Sequence, residues 1–476
     1  MSEHVNKAES SAKKQKLIDR MATDHHQAVV ALVPNEDSPR IFKLNIDCFD
    51  EIFDYLSTAD LLGIGQTCKT MQQVVGEYFK ENYTAASMFG GNDGIYRVFS
   101  INGMDRAETS GFNKFVRYMS HSFNSLGPLR YIETNGAQFT SLQHLYLIGV
   151  DLVTTRVNCL RNNLHQFEII QIKQCTFQCD FYESFLKLCT NLRQLYIQYD
   201  IGDIIRVEEN DWLQKNYPKL EHLELTPIKL MQFNVSELAH FLHINPSVRS
   251  FSTSIRFLWE NQQKFLRSGI QLDTFGVKIG RNYGLRFRDV LDVETSMIFD
   301  LLNQLYAQGF YKQLHLFVTH IDEEYTNEIV SVRGLEKLCI KNYIQSYNLP
   351  LVTNLKELSI MDTTPTADME ILANGLVNLE RLYLCKTTYN DILPFIRQSV
   401  KLNRIIVKGV YFSENIFKVS TMNKEREKLK NARKVTIYVP DDLFVTIKWA
   451  TPNGDTDLKL VEIKRCDSYR WDHHYY

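Results

Sequence analysis

The chain has 476 residues, 44% hydrophobic and 23% charged, which is enough apolar material for a large core. Lys and Arg total 54 against 56 Asp and Glu, a formal net charge of −2, so no basic excess draws it to nucleic acid or an anionic membrane. No apolar run approaches the ~18 residues that span a bilayer, and nine scattered cysteines behind a polar N-terminus point to a reduced compartment, cytoplasmic or nuclear.

Residues 1–40 are polar without a sustained period and read as a flexible leader. Its "KKQK" reads as a solvated charge run before a nuclear signal. From Leu44 the apolar residues fall into three short helical stripes. Phe49, Ile52, Phe53 and Leu56 lie at i, i+3, i+4 and i+7, one helix face, with Asn45 placed to cap the free N–H groups. Ser57 and Thr58 break this helix and offer the next cap. Leu61, Ile64 and Cys68 make a second stripe; Met71, Val74, Val75, Tyr78 and Phe79 make a third. Helices this short bury little among themselves and need a partner to complete their core.

This stretch resembles an F-box. Leu44, Ile52, Leu56, Asp60, Leu61, Leu62, Cys68 and Lys69 follow that family's pattern without a gap. Asn45, Thr67 and Met71 stand where the family usually has proline, valine and tryptophan. The resemblance covers about forty residues. It implies docking on the Skp adaptor of a cullin–RING ubiquitin ligase, with Leu44, Asn45, Ile52, Leu56 and Leu61 as adaptor-contacting residues. Ile52, Leu56 and Leu61 also suit holding the three helices together.

Between 140 and 410 the spelling L-x-x-L-x-L returns every 20 to 28 residues, with one step of 39, from "LQHLYL" at 142 to "LNRIIV" at 402. That period is the signature of leucine-rich repeats, which stack short strands into one parallel concave sheet. Between the strands, "NVSELAHFLHI" opens with a capping-box variant, and two further helices are expected to end at Gly309 and Gly375. The 39-residue step predicts an enlarged repeat; the 335–355 step is too short for a full helix. The F-box side is expected to seal the first turn, with early strands at 94–101 and 128–133. "KVTIYV", "LFVTIKWA" and "LKLVEIKR" around the turn "TPNGDTD" predict a β-hairpin cap. The expected class is α/β: leader 1–40, three-helix F-box 41–84, horseshoe solenoid 85–434 and β cap 435–476.

No P-loop, G-x-S-x-G elbow, H-E-x-x-H or helix-opening G-x-G-x-x-G is present. "GGNDG" at 90–94 reads as a turn, as do Asp441 and Asp442. Cys175, Cys179 and Cys189 lack a fourth ligand and read as packing residues. The histidine pairs at 25–26 and 473–474 have no partner spacing. No cofactor and no metal are expected. The third, fifth and seventh repeat positions look outward from the sheet. They include Tyr146, Tyr196 and His222, then Lys337, Lys341, Arg381, Tyr383, Arg404 and Lys408. Ser250, Ser252 and Ser254 leave a dip between the two groups. The face runs from polar–aromatic to basic, which suits an acidic or phosphorylated target segment; a solvated face with chance charge fits equally well. Together these features predict a non-catalytic substrate receptor that brings a target protein to the ligase by proximity. A repeat scaffold without ubiquitination is the alternative. An RNA-binding solenoid lacks the basic–aromatic interleaving it needs.

Overall fold

The structure is a computed structural model. It describes residues 41, 44–82, 87–90, 96–98, 114, 117–122, 132–177, 181–198, 212–226, 235–280, 295–321, 323–343, 349–361, 366–410, 418–450 and 458–465. The leader, Cys179 and both histidine pairs lie outside these residues. The chain divides between Tyr55 and Leu56 into two units.

The first unit carries helix α1, Ile46–Phe53. The Asn45 side chain accepts the Cys48 N–H at 2.9 Å, so the residue standing in the proline position supplies a cap. Phe49 and Phe53 lie four apart on one face, buried, with ring centroids 5.6 Å apart.

The second unit opens with α2, Thr58–Thr67, and α3, Lys69–Asn82, packed on each other. Ser57 and Asp60 form a reciprocal capping box at the start of α2, with bonds of 3.3 and 3.2 Å. The Cys68 thiol does the same work for α3, its Sγ accepting the Met71 N–H at 3.4 Å. Leu61, Met71, Val74, Val75, Tyr78 and Phe79 are buried as the stripes predict, and so is Leu62 outside them, whereas Ile64 of the second stripe is partly buried and Cys68 is exposed.

Strands then follow at the repeat positions. They are β1 (Ser87–Gly90), β2 (Tyr96–Val98), β3 (Tyr118–Ser122), β4 (His144–Ile148), β5 (Asp151–Leu152), β6 (Ile169–Lys173), β7 (Thr176–Phe177), β8 (Gln194–Gln198) and β9 (His222–Thr226). The second half adds β10 (Ser250–Ser254), β11 (Leu272–Ile279), β12 (Tyr311–Ile321), β13 (Leu335–Tyr343), β14 (Glu357–Ile360), β15 (Arg381–Thr387), β16 (Arg404–Val410), β17 (Val435–Val439) and β18 (Val461–Arg465). All but β5 and β7, which pair with each other, join one open sheet. Among the described residues that sheet has sixteen strands, running from β18 through β3 to β1 and β2. Among the described residues only β1 and β2 pair antiparallel. The leucines at the first, fourth and sixth repeat positions fill a continuous core behind the sheet.

The return segments carry helices, first Thr154–Leu160 and then from Val235–Ile244 onward, and the 335–355 step carries only the single turn Leu349–Leu351. Gly309 has φ +77°, the left-handed cap expected after helix Thr295–Ala307. Gly375 ends its helix against Pro350, whose backbone a Cβ would strike at 2.6 Å. In addition, Arg426 is wholly buried and ties the 396–402 turn to its own repeat. Its guanidinium donates to the carbonyls of Ile396, Ser399, Val400, Leu402 and Arg433 at 2.8–3.2 Å.

Three expectations are corrected. Of the strand expected at 128–133, the described residues 132 and 133 open a helical turn instead, with Ile132 anchoring it in the core, and 128–131 lie outside the described residues. "LFVTIKWA" belongs to a helix, Asp441–Ala450. Its buried Phe444 and Ile447 lie three apart, and Asp441 and Asp442 occupy the first turn, where the helix dipole favours them. β18 runs parallel to β17, so the end of the array is one more strand–helix–strand unit and not a hairpin. Helix α3 and the Leu56 turn before α2 meet this last strand. Arg465 of β18 donates to the Leu56 carbonyl at 2.8 Å, pairs with Asp441, and lies over the rings of Tyr78 (5.8 Å) and Phe444 (4.6 Å).

Candidate functional site

The five adaptor residues separate by exposure. Leu44 and Ile52 present apolar surface, 38% and 42% exposed, and Asn45 is the exposed cap between them in sequence. Leu56 is partly buried, and Leu61 is wholly buried in the second unit. Leu44 and Ile52 are therefore free for contact, whereas Leu61 serves the helix core.

The outward face of the sheet is ordered by strand register. Tyr146, Gln171, Tyr196, Glu224, Ser252, Gly276 and His315 stand opposite one another in one row across β4 to β12. At Leu314/His315 a bulge shifts the pairing, so that His315 faces Lys337. The row then continues through Glu357, Arg381 and Arg404. Fifth repeat positions are thus aligned with third positions. Beyond this one-residue irregularity the two repeats stay offset by two positions, which keeps every side chain on its own face of the sheet but gives the aromatic half of the row a basic neighbour that the repeat spacing does not predict.

At this junction lies a pocket of about 400 Å³. Its floor is the expected dip, formed by Ser250, Ser252 and Gly276. Tyr196 and His222 stand on one side, with rings 4.8 Å apart, and His315 and Phe317 on the other. His222 Nδ1 is 2.8 Å from the Ser250 hydroxyl. Lys278 reaches across β10 to Glu224 at 2.5 Å, and Lys337 lies 2.6 Å from Glu357. Burial, with the nearby lysines adding to it, lowers the imidazoles of both His222 and His315 to about 3, so both rings are neutral at neutral pH.

The remaining predicted target residues divide. Arg381 is exposed and pairs with Glu357 at 3.3 Å; Arg404 stacks over the Tyr438 ring at 4.6 Å. Lys341 and Lys408 are partly buried. Two tyrosines do not lie open. Tyr146 is 6% exposed, and Tyr383 is 2% exposed in a second apolar cluster on this face with Cys339, Met361 and Ile406. The basic charge is also less free than the sequence suggests, because Glu357 partners both Lys337 and Arg381.

Among the described residues no group of three or more His, Cys, Asp or Glu could hold a metal ion. Cys175 and Cys189 are buried, and burial pushes both thiols up, Cys175 to about 12, as suits packing residues. Among the described residues no helix is long and apolar enough to cross a membrane.

The F-box domain family matches residues 41–78. No curated protein matches the chain. Among solved structures it is similar to an internalin of Listeria monocytogenes, with 11% identity, 78% of this chain and 94% of that chain covered, and a TM-score of 0.23. It is also similar to a leucine-rich-repeat protein of Leptospira interrogans, with 14% identity, 67% and 79% covered, and a TM-score of 0.23. The repeat assignment rests on the parallel register and leucine core of this chain. With an F-box at 41–78 followed in sequence by a parallel repeat solenoid, the chain has the architecture of an F-box and leucine-rich-repeat protein.

Proposed function

We propose that the chain is the substrate-recognition subunit of an SCF-type ubiquitin ligase. Its F-box docks on the Skp adaptor, and through it on a cullin–RING core, while the outward sheet face holds a target protein for ubiquitination. Proteins of this architecture are typically non-catalytic adaptors, and proximity to the ligase supplies the rate gain. The observation that carries the reading is the F-box match over 41–78, with Leu44 and Ile52 exposed for an apolar partner.

The target lies across the row from Tyr196 and His222 to Lys337, Arg381 and Arg404, with Lys341 and Lys408 at its margin. Tyr146 and Tyr383 support that face from within. Mass spectrometry of proteins co-purifying with the full chain tests the assignment. Adaptor and cullin together are expected. A bound protein recovered without either would make the chain a repeat scaffold instead. Reversing Lys341 and Arg381 to Glu tests the face: target capture should weaken and adaptor capture persist.

A further inference from the structure

We propose that the dip over Ser252 and Gly276 is an anion-binding pocket that anchors one acidic side chain of the target, carboxylate or phosphate.

The floor is kept bare by its own packing. A Cβ on Gly276 would collide with the Ser252 hydroxyl. The register at Leu314/His315 sets Lys337 opposite His315, which faces Gly276 of the floor, and Lys278 stands two residues from Gly276 on β11.

The pocket has donors to spare. In the tautomer in which the Ser250 hydroxyl donates to Nδ1 of His222, the ring hydrogen sits on Nε2. That atom is buried and has no partner among the described residues. The Lys278 ammonium carries three hydrogens and gives one to Glu224. A carboxylate or phosphate offers the acceptors these groups lack. A cationic or apolar guest would leave them unmet.

The field inside the pocket has the matching sign. After burial, the groups that depress the His222 imidazole are Lys278 and Lys337; those acting on His315 are Lys337, His222 and Arg381. Glu221 and Glu224 also line the pocket, and Glu224 offsets Lys278 at 2.5 Å. Lys337 is the cation least offset within it, because its partner Glu357 lies outside the lining. Tyr196 and Phe317 supply flat walls for the aliphatic stem of the guest.

The proposal rests on the receptor reading only for the origin of the anion. The test is NMR of the full chain labelled at the histidine Cε1 positions, with His222→Gln and His315→Gln assigning the two resonances. Three blocked tripeptides are titrated, with central glutamate, phosphoserine or glutamine. Glutamate or phosphoserine should move both resonances saturably, and the stronger of the two names the source of the anion. Lys337→Met should weaken that binding at least tenfold, and Ser252→Leu, which fills the floor, should abolish it. Equal shifts with all three peptides, or none with any, would overturn the anion site. Capture of the Skp adaptor by the same variants reports on the receptor reading separately, because it does not use the pocket.

Discussion

Replacing Arg465 by leucine should loosen the F-box helices, although the change is made in the last strand of the array. The Arg465 and Asp441 side chains are only 2% and 13% exposed, so Arg465→Leu leaves a largely buried carboxylate without its partner. Breaking such a pair costs about 3–5 kcal/mol. The Leu56 carbonyl also loses a charge-assisted bond of about 1.5–3 kcal/mol, and two ring contacts go with it. These terms overlap, and about 4–6 kcal/mol is a fair total. Repeats feel mainly their neighbours, so the loss should stay local. Hydrogen exchange should accelerate about a thousandfold or more in peptides from 57–82 and 441–465, and far less in 272–410. Adding Asp441→Leu removes the orphaned charge and should restore much of the protection. The reasoning fails if peptides from 57–82 exchange as in the parent chain while 441–465 opens.

Ile52→Asp should abolish adaptor capture and change stability by no more than about 0.5 kcal/mol, since Ile52 is exposed. Leu61→Asp should instead melt α2 and α3, seen as lost helical signal; equal stability of the two variants would contradict this division of roles. Arg426→Met strands several buried carbonyls at about 1–3 kcal/mol each, so the urea midpoint should fall by several kcal/mol in free-energy terms; a fall below about 1 kcal/mol would mean water replaces the guanidinium. Acid should destabilise the chain through His222 and His315. Their folded value of about 3 lies below the unfolded value of about 6.5, so stability is full above pH ~6.5 and is lost as pH falls toward 3. At pH 5 the loss is about 2 kcal/mol for each ring. A His315→Gln variant with an unaltered difference between pH 7 and pH 5 would count against that.

The leucine spelling located the sheet strands from β4 to β16 because each repeat buries the same three positions, and nothing in the helical period imitates that. It did not reveal the offset between the repeats on β12 and β13. Leu335 and Leu338 are core leucines in either register, so a two-position offset leaves no mark in the hydrophobic pattern. The pocket was missed for the same reason: Lys337 comes to face His315, itself opposite Gly276, only through that offset. Its floor was legible in part: Ser250 and Ser252 line it as expected, whereas Ser254 caps the next helix and Gly276 takes the third place. Helix 441–450 was misread because Leu443, Phe444, Val445 and Ile447 are good strand residues, and only the three-residue spacing of the buried pair betrays a helix. Tyr383 was expected outside by alternation, and it is on that side. What alternation does not register is that Cys339 and Ile406 make the outward side apolar there.

The bond from Arg465 to the Leu56 carbonyl joins residues 409 apart in the chain. A ribosome moving at about 5–20 residues per second makes the second partner about 20–80 s after the first. For that interval the helices at 58–82 exist without their anchor, exposed to chaperones and proteases in a form the finished protein does not show. A chain cut short before β18 never leaves that state.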